Sequence, residues 1–297
     1  MSKLAEVKPI SCLPAPPPGW HDYDYEVLDD GRLVLVRVNI DVASVSPHDR
    51  ARVWPKARLR LSCFDGVTES DVLELAAVPW PKVDKLPDGR WLVVASRCAW
   101  NQRNVSIFNP DGSRAENFAV GDGVGPIVCL PDGRLWVGYI DQGVFGDPRR
   151  EHPASSGLAA FDINKACVGR FAHQEYAICD CYALGATGTV VWACTYADFP
   201  IIRIDGDGIR LWDNGIDGAF AIAANDAHVI LAGGYHPDAN KLVLLRLEEK
   251  SAVLVDEVRL GAEDEKINWL GRNGIMHAIA GREWLQVRID DWLETVW

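Results

Sequence analysis

Pro126-Ile127-Val128-Cys129-Leu130-Pro131-Asp132-Gly133-Arg134-Leu135-Trp136-Val137-Gly138-Tyr139 reads as two apolar strands joined by a tight turn. Asp-Gly between apolar runs is a strong hairpin signal, because such turns need a positive φ that glycine adopts without steric cost. Gly157-Leu158-Ala159-Ala160-Phe161-Asp162 and Cys167-Val168-Gly169-Arg170-Phe171 supply a third and a fourth strand. The stretch before it repeats the plan. Lys82–Leu86 and Trp91–Ser96 flank Pro87-Asp88-Gly89-Arg90, Val105–Phe108 runs into Asn109-Pro110-Asp111-Gly112, and Ala115–Val120 completes the unit.

Four degraded copies turn at Asp29-Asp30-Gly31-Arg32, Ala186-Thr187-Gly188, Asn225-Asp226-Ala227 and Arg272-Asn273-Gly274. The six turns, taken at Gly31, Gly89, Gly133, Gly188, Ala227 and Gly274, are separated by 58, 44, 55, 39 and 47 residues. A four-stranded propeller blade takes roughly 40–50 residues, and the two long gaps coincide with two long loops. The expectation is an all-β chain, one six-bladed β-propeller domain over residues 1–297 with four-stranded antiparallel blades. Its last unit ends with Trp284–Ile289 as a third strand, followed by Asp290-Asp291-Trp292. The missing fourth strand is expected from Leu4–Cys12, which would remove an exposed edge. No amphipathic helix of convincing length is read.

The 297 residues are 48% hydrophobic and 24% charged, a globular composition. The net charge of −12 repels phosphate backbones and argues against nucleic acid as a partner. Arg50, Arg52, Lys56, Arg58 and Arg60 form the densest basic run, read as the solvated face of a strand. No stretch approaches the roughly 20 apolar residues of a membrane span, and the start lacks the pattern of a secretory signal, so a cytoplasmic location is expected. Cys12, Cys63, Cys98, Cys129, Cys167, Cys179, Cys181 and Cys194 mostly lie in apolar runs and are read as reduced core thiols.

Leu-Pro-Asp-Gly-Arg-Leu-Trp-Val at 130–137, with Ala-Ala-Phe-Asp at 159–162, resembles the repeats of six-bladed propellers of the SMP-30/NHL type. The resemblance implies the architecture. For the SMP-30 branch it would also imply a Glu and two Asn/Asp metal ligands supporting lactone hydrolysis, but the motifs around those ligands are not found here. Gly121–Val124, Trp136–Gly146, Asp180–Leu184 and Tyr196–Pro200 resemble more closely a bacterial propeller family with no assigned function, which brings no catalytic residues with it.

Loops between second and third strands, and between one blade and the next, gather on one face of a propeller, and rigid scaffolds carry function on such loops. Here they hold His48, Asp49, Arg97, Asn101, Asp141–Glu151, Asp180, Tyr196, Asp198, His236, Asp238, Asn240 and Glu263–Asn268. Arg97, Asn101, Asp141, Asp180, Tyr196, Asp198 and His236 are the candidates for contact with an unidentified protein or small-molecule ligand. The insertion Gln142–Ser156 is read either as a lid or partner loop or as a tolerated surface insertion. Asp84, Asp122, Asp141, Asp180 and Asp198 would suit a divalent cation such as Ca²⁺ if they converged. The alternative, aspartates capping turns, is the commoner use, so no cofactor is the expectation.

Cys179 and Cys181 share a strand face, but no second pair accompanies them as a zinc site would require. His48, His152, His173, His228, His236 and His277 show no metal-type spacing, and His236 is the best-placed general base. Neither a Gly-x-Ser-x-Gly elbow nor a P-loop is present. Trp91, Trp136 and Trp192 are read as equivalent core positions, and Trp20, Trp54, Trp80 and Trp100 as an aromatic rim. Two functions follow as expectations: a non-catalytic binding propeller, or a metal-dependent, lactonase-like hydrolase with carboxylates at the channel mouth.

Overall fold

A computed structural model describes residues 7, 9–46, 49–99, 102–147, 151–162, 166–262 and 265–296. The strands form six four-stranded antiparallel sheets, the blades of a six-bladed β-propeller. β1 (Ser11–Cys12) comes first in the chain. Blade one is β2 (His21–Val27), β3 (Leu33–Val38), β4 (Arg58–Phe64) and β5 (Glu69–Ala76). Blade two is β6 (Pro81–Lys85), β7 (Trp91–Ala95), β8 (Val105–Phe108) and β9 (Arg114–Phe118), and blade three is β10 (Val124–Cys129), β11 (Leu135–Tyr139), β12 (Leu158–Phe161) and β13 (Cys167–Arg170). These three blades make up one compact unit, Pro14–Phe171.

The second unit comprises residues 1–13 and 172–297. Blade four is β14 (Asp180–Thr187), β15 (Val190–Tyr196), β16 (Ile201–Asp205) and β17 (Gly208–Trp212). Blade five is β18 (Ala221–Ala224), β19 (His228–Ala232), β20 (Lys241–Leu247) and β21 (Ala252–Arg259). In blade six, β22 (Ile267–Arg272), β23 (Ile275–Ala280) and β24 (Glu283–Arg288) are completed by β1, with Ser11 opposite Trp284 and Cys12 opposite Glu283. Flanking bonds from Ile10 N–H to the Trp284 carbonyl and from Leu13 N–H to the Arg282 carbonyl extend the pairing. The expected terminal exchange is therefore present at Ser11–Cys12. Leu4 and its neighbours lie outside the described residues.

Three turns share one geometry. In Leu28–Arg32, Leu86–Arg90 and Leu130–Arg134, the glycine N–H donates to the leucine carbonyl and the leucine N–H to the arginine carbonyl. Gly31, Gly89 and Gly133 sit at φ +84°, +86° and +85°, where an L side chain would be strained. Each turn aspartate accepts from the arginine N–H and from its guanidinium, so Asp-Gly-Arg locks the hairpin from outside the core.

Second strands are buried on both faces, so they read as continuous apolar runs rather than an alternation. In β7, Trp91 and Val93 pack with blade one while Leu92 and Val94 pack with blade three. In β19, Val229 and Leu231 face blade four, and Ile230 and Ala232 face blade six. This is the period of two expressed between blades, each buried aliphatic side chain contributing about 1.5–3 kcal/mol.

Several local expectations are corrected. The basic run is not one strand: Arg50–Val53 forms a helical turn, α1, Trp54–Lys56 a 3-10 turn, and β4 starts at Arg58. Trp54 drives this, because it is fully buried against Tyr23 and Trp80 and a solvated strand would expose it. Trp54 is thus a core anchor, not part of a rim. Trp20 and Trp80 are half-buried and Trp100 lies outside the described residues. Trp91, Trp136 and Trp192 are all buried but not equivalent, since they lie two, three and four residues after their turn glycines. Leu135, not Trp136, takes the place of Trp91.

After β24 the chain forms α3 (Ile289–Val296), with Ile289, Trp292, Leu293 and Val296 on one face against the blade-five and blade-six cluster. Trp292 Nε1 donates to Asp256 at 2.9 Å. All eight thiols are unpaired, but only Cys63, Cys129, Cys181 and Cys194 are buried, and Cys12 is exposed.

Candidate functional site

In the unit Pro14–Phe171, the loops after β7 and β9 are joined by Arg97, whose guanidinium meets the Asp122 carboxylate at 3.0 and 3.2 Å. Asp122 also accepts from Cys98 N–H at 2.8 Å. Burial acts to raise the Asp122 carboxyl, yet the bonds from Arg97 and the backbone outweigh it and hold it below the usual carboxylate range. Asn104 is buried and ties three backbone groups, donating to the Ala95 and Gly121 carbonyls and accepting from Val120 N–H. Tyr139 Oη donates to the Val120 carbonyl at 2.6 Å.

The Gln142–Ser156 insertion packs onto this frame. Asp141–Gly146 forms a short helix, α2, and Ile140 N–H donates to the Gly123 carbonyl. Gly143 meets the backbone of Asp122 and Gly123, and the His152 ring lies directly over Gly121, so side chains at Gly121, Gly123 or Gly143 would collide with their neighbours. Val144 and Ala154 are buried, and buried Asp147 accepts from the N–H groups of Glu151 and His152. The described part of the insertion is thus a packed segment. Arg149 and Arg150 lie outside the described residues, as do Asn101 and His48.

Three of the five carboxylates suggested for a metal, Asp84, Asp122 and Asp141, hold backbone groups or Arg97 instead. Asp84 is buried and accepts from Lys85 and Cys129 N–H, each at 2.6 Å, joining the first strands of blades two and three. Asp141 accepts from Gln142 N–H. Among the described residues, no three His, Cys, Asp or Glu side chains are grouped to hold a metal ion.

In the other unit, loops of blades four and five bring five aromatic rings together. Tyr182 stands at the bulge of β14 opposite β15, Tyr196 ends β15, Phe199 follows it, and Phe220 and Tyr235 flank β18 and β19. The Tyr182 ring lies parallel to Phe220 (5.6 Å, 10°) and to Tyr196 (6.2 Å, 17°). Tyr235 stands edge-on to both Tyr182 and Phe199. Its hydroxyl lies 3.0 Å from that of Tyr182, and this bond, with burial, raises the Tyr182 phenol above its ordinary value.

Two glycines make the arrangement possible. The Tyr235 ring lies over Gly218 and the Phe220 ring over Gly233, both at positive φ, and a Cβ at either glycine would press on the ring above it. Phe199 is buried at φ +50°, a left-handed conformation that costs an ordinary residue about 1–3 kcal/mol. Despite this packing, Tyr196, Phe220 and Tyr235 remain 45%, 54% and 48% exposed. A cleft of about 280 Å³ adjoins Tyr235, lined also by Ile216, Asp217, His236, Asp238 and Lys241.

The candidates therefore separate. Tyr196 joins the aromatic platform, Asp180 pairs with it across the β14–β15 ladder, Asp198 follows it in the chain, and exposed His236 lines the cleft. Arg97 and Asp141 belong to the other unit. The platform residues the loop reading missed as a group are Phe199, Phe220 and, as rings, Tyr182 and Tyr235. The available signal was aromatics in glycine loops, Gly218-Ala219-Phe220 and Gly233-Gly234-Tyr235.

No family model matches the chain, and no curated protein matches it either. Among solved structures, a functionally unknown protein from Desulfotomaculum acetoxidans DSM 771 is similar at 10% identity and a TM-score of 0.51, over 89% of this chain and 84% of that one. The extracellular domain of the putative hybrid two component system BT3049 from B. thetaiotaomicron gives 10% identity and 0.48, over 94% of this chain and 42% of that one. YjhT gives 14% identity and 0.45, over 93% and 95%. At such identities the first of these likenesses speaks for the fold alone.

Proposed function

We propose that this propeller is a non-catalytic binding module that takes its ligand on the aromatic platform of blades four and five. The supporting observation is that three aromatic side chains, Tyr196, Phe220 and Tyr235, each against Tyr182, stay about half exposed beside glycine turns and a left-handed phenylalanine. Packing that positions rings without covering them costs stability and is characteristic of a ligand surface. A half-open cleft adjoins the surface at Tyr235. Two of the five carboxylates suggested for a metal, Asp84 and Asp122, are engaged in structural bonds, and no three are grouped among the described residues.

The test is saturation-transfer NMR on a panel of small sugars, organic cations and aromatic acids, using the wild type and Tyr235→Ala. Any binder is expected to transfer saturation from the tyrosine ring protons and to weaken at least tenfold in the variant. Calcium-dependent lactone turnover by the wild type, or binders indifferent to Tyr235→Ala, would overturn the proposal.

A further inference from the structure

The charge around the platform narrows its ligand, on the premise that the platform is the binding surface. Asp198, two residues after Tyr196 and next to Phe199 in the chain, is exposed, and Asp217 lines the cleft beside Tyr235 and is exposed as well. Neither makes a side-chain hydrogen bond or ion pair among the described residues. The nearby cations are already matched: Lys241 with Glu257 at 2.7 Å and Arg259 with Asp238 at 2.8 Å. Asp180, opposite Tyr196 in the ladder, adds a third carboxylate close enough to act on the Tyr182 phenol. The local balance is negative in a chain whose net charge is −12.

Aromatic faces carry negative quadrupolar potential, and they attract cations best when several rings surround one group. Here parallel rings (Tyr196, Tyr182, Phe220) are bordered by a ring set edge-on (Tyr235). Carboxylates beside such a surface favour a soft, weakly hydrated cation and disfavour an anion. A neutral sugar would gain the stacking and could donate its hydroxyls to Asp198 and Asp217, but it brings no charge to compensate theirs. The cleft of about 280 Å³ is of small-molecule size. We infer that the platform of Tyr182, Tyr196, Phe220 and Tyr235, with Asp198 and Asp217, binds a free small organic cation of the alkylated ammonium class.

Calorimetric titration with choline and with its uncharged carbon isostere 3,3-dimethyl-1-butanol tests this, because the two differ in charge and little in shape. Choline is expected to bind at least tenfold more tightly, with affinity falling as salt rises. Asp198→Asn/Asp217→Asn should erase most of that preference while leaving the isostere unchanged. Both carboxylates are exposed, so the double variant should keep its unfolding midpoint. Equal binding of the two probes would overturn the cation assignment and leave a purely apolar platform. Binding of a neutral pyranoside alone, lost in Tyr235→Ala, would overturn the assignment but keep the platform as a binding surface. If no probe, charged or neutral, depends on Tyr235, both readings fall together.

Discussion

Arg37 provides the most demanding test of how blade one is held. Its side chain is 1% exposed, and its guanidinium meets Asp22 at 2.9 Å, Glu69 at 2.8 Å and the Pro14 carbonyl at 2.8 Å. One side chain thus joins the first strand of the blade, its fourth strand and the incoming Pro14 segment. Removing one partner of a buried ion pair costs about 3–5 kcal/mol, because the other charge is left without compensation. Asp22 and Glu69 keep 25% and 18% exposure, so water can reach them in part. That places Arg37→Met at the low end, about 3 kcal/mol. Arg37→Lys keeps the charge but gives up the planar fork that reaches three acceptors. It should lose about one charged hydrogen bond, roughly 1.5–3 kcal/mol.

The assay is urea unfolding followed by circular dichroism, with the midpoint shift read at constant slope. Arg52→Ala is the control, since its pair with Asp49 is exposed and should contribute less than about 1 kcal/mol. The expected order is wild type and Arg52→Ala together, then Arg37→Lys, then Arg37→Met. A shift for Arg37→Met no larger than the control's would refute the buried node.

Three further outcomes are expected. Gly185 and Gly271 meet the Ile222 carbonyl, bringing the first strands of blades four, five and six into backbone contact. Gly271→Ala should therefore destabilise by about 3 kcal/mol in a urea melt, whereas Gly206→Ala, in open space, should be nearly silent. His277 accepts at Nδ1 from Trp284 Nε1, and burial, aided by Arg288, lowers its pKa to about 3. The unfolded imidazole, near the ordinary 6.5, takes up a proton that the folded one refuses, so stability present above pH 6.5 is lost as pH falls toward 3. Between pH 7 and 5 this amounts to about 2 kcal/mol. His277→Gln should flatten that slope, and parallel pH profiles would show His277 is not its source. Exposed Cys12 should react first with a thiol reagent at pH 8. Cys98 should lag although half-buried, because burial pushes its thiol up to about 11; mass mapping that finds Cys98 labelled first would contradict this.

Trp54 and α3 mark where reading along the chain stopped short. The arginine spacing from Arg50 to Arg60 fits a strand, but the burial of Trp54 against Tyr23 and Trp80 is non-local and turns the segment into short helices. For α3 the signal was present in Ile289, Trp292, Leu293 and Val296, spaced i, i+3, i+4 and i+7. At eight residues it is too short to hold as a helix without the surface it packs on.

What the sequence determined by itself is the blade plan: six turns, the apolar runs they join and a strand lent from the N-terminal end. The turns depend on interactions over a few residues, a positive φ at glycine or an aspartate accepting from an arginine two places on, so they leave a local trace, and the lent strand showed as the fourth strand missing from the last unit. The aromatic platform was decided only by tertiary structure. Tyr182 and Tyr235 are 53 residues apart and share a hydrogen bond, while Phe220 and Tyr235 rest on glycines in each other's loops. Their proximity follows from how blades four and five pack, and the sequence around any one of them carries no record of the others.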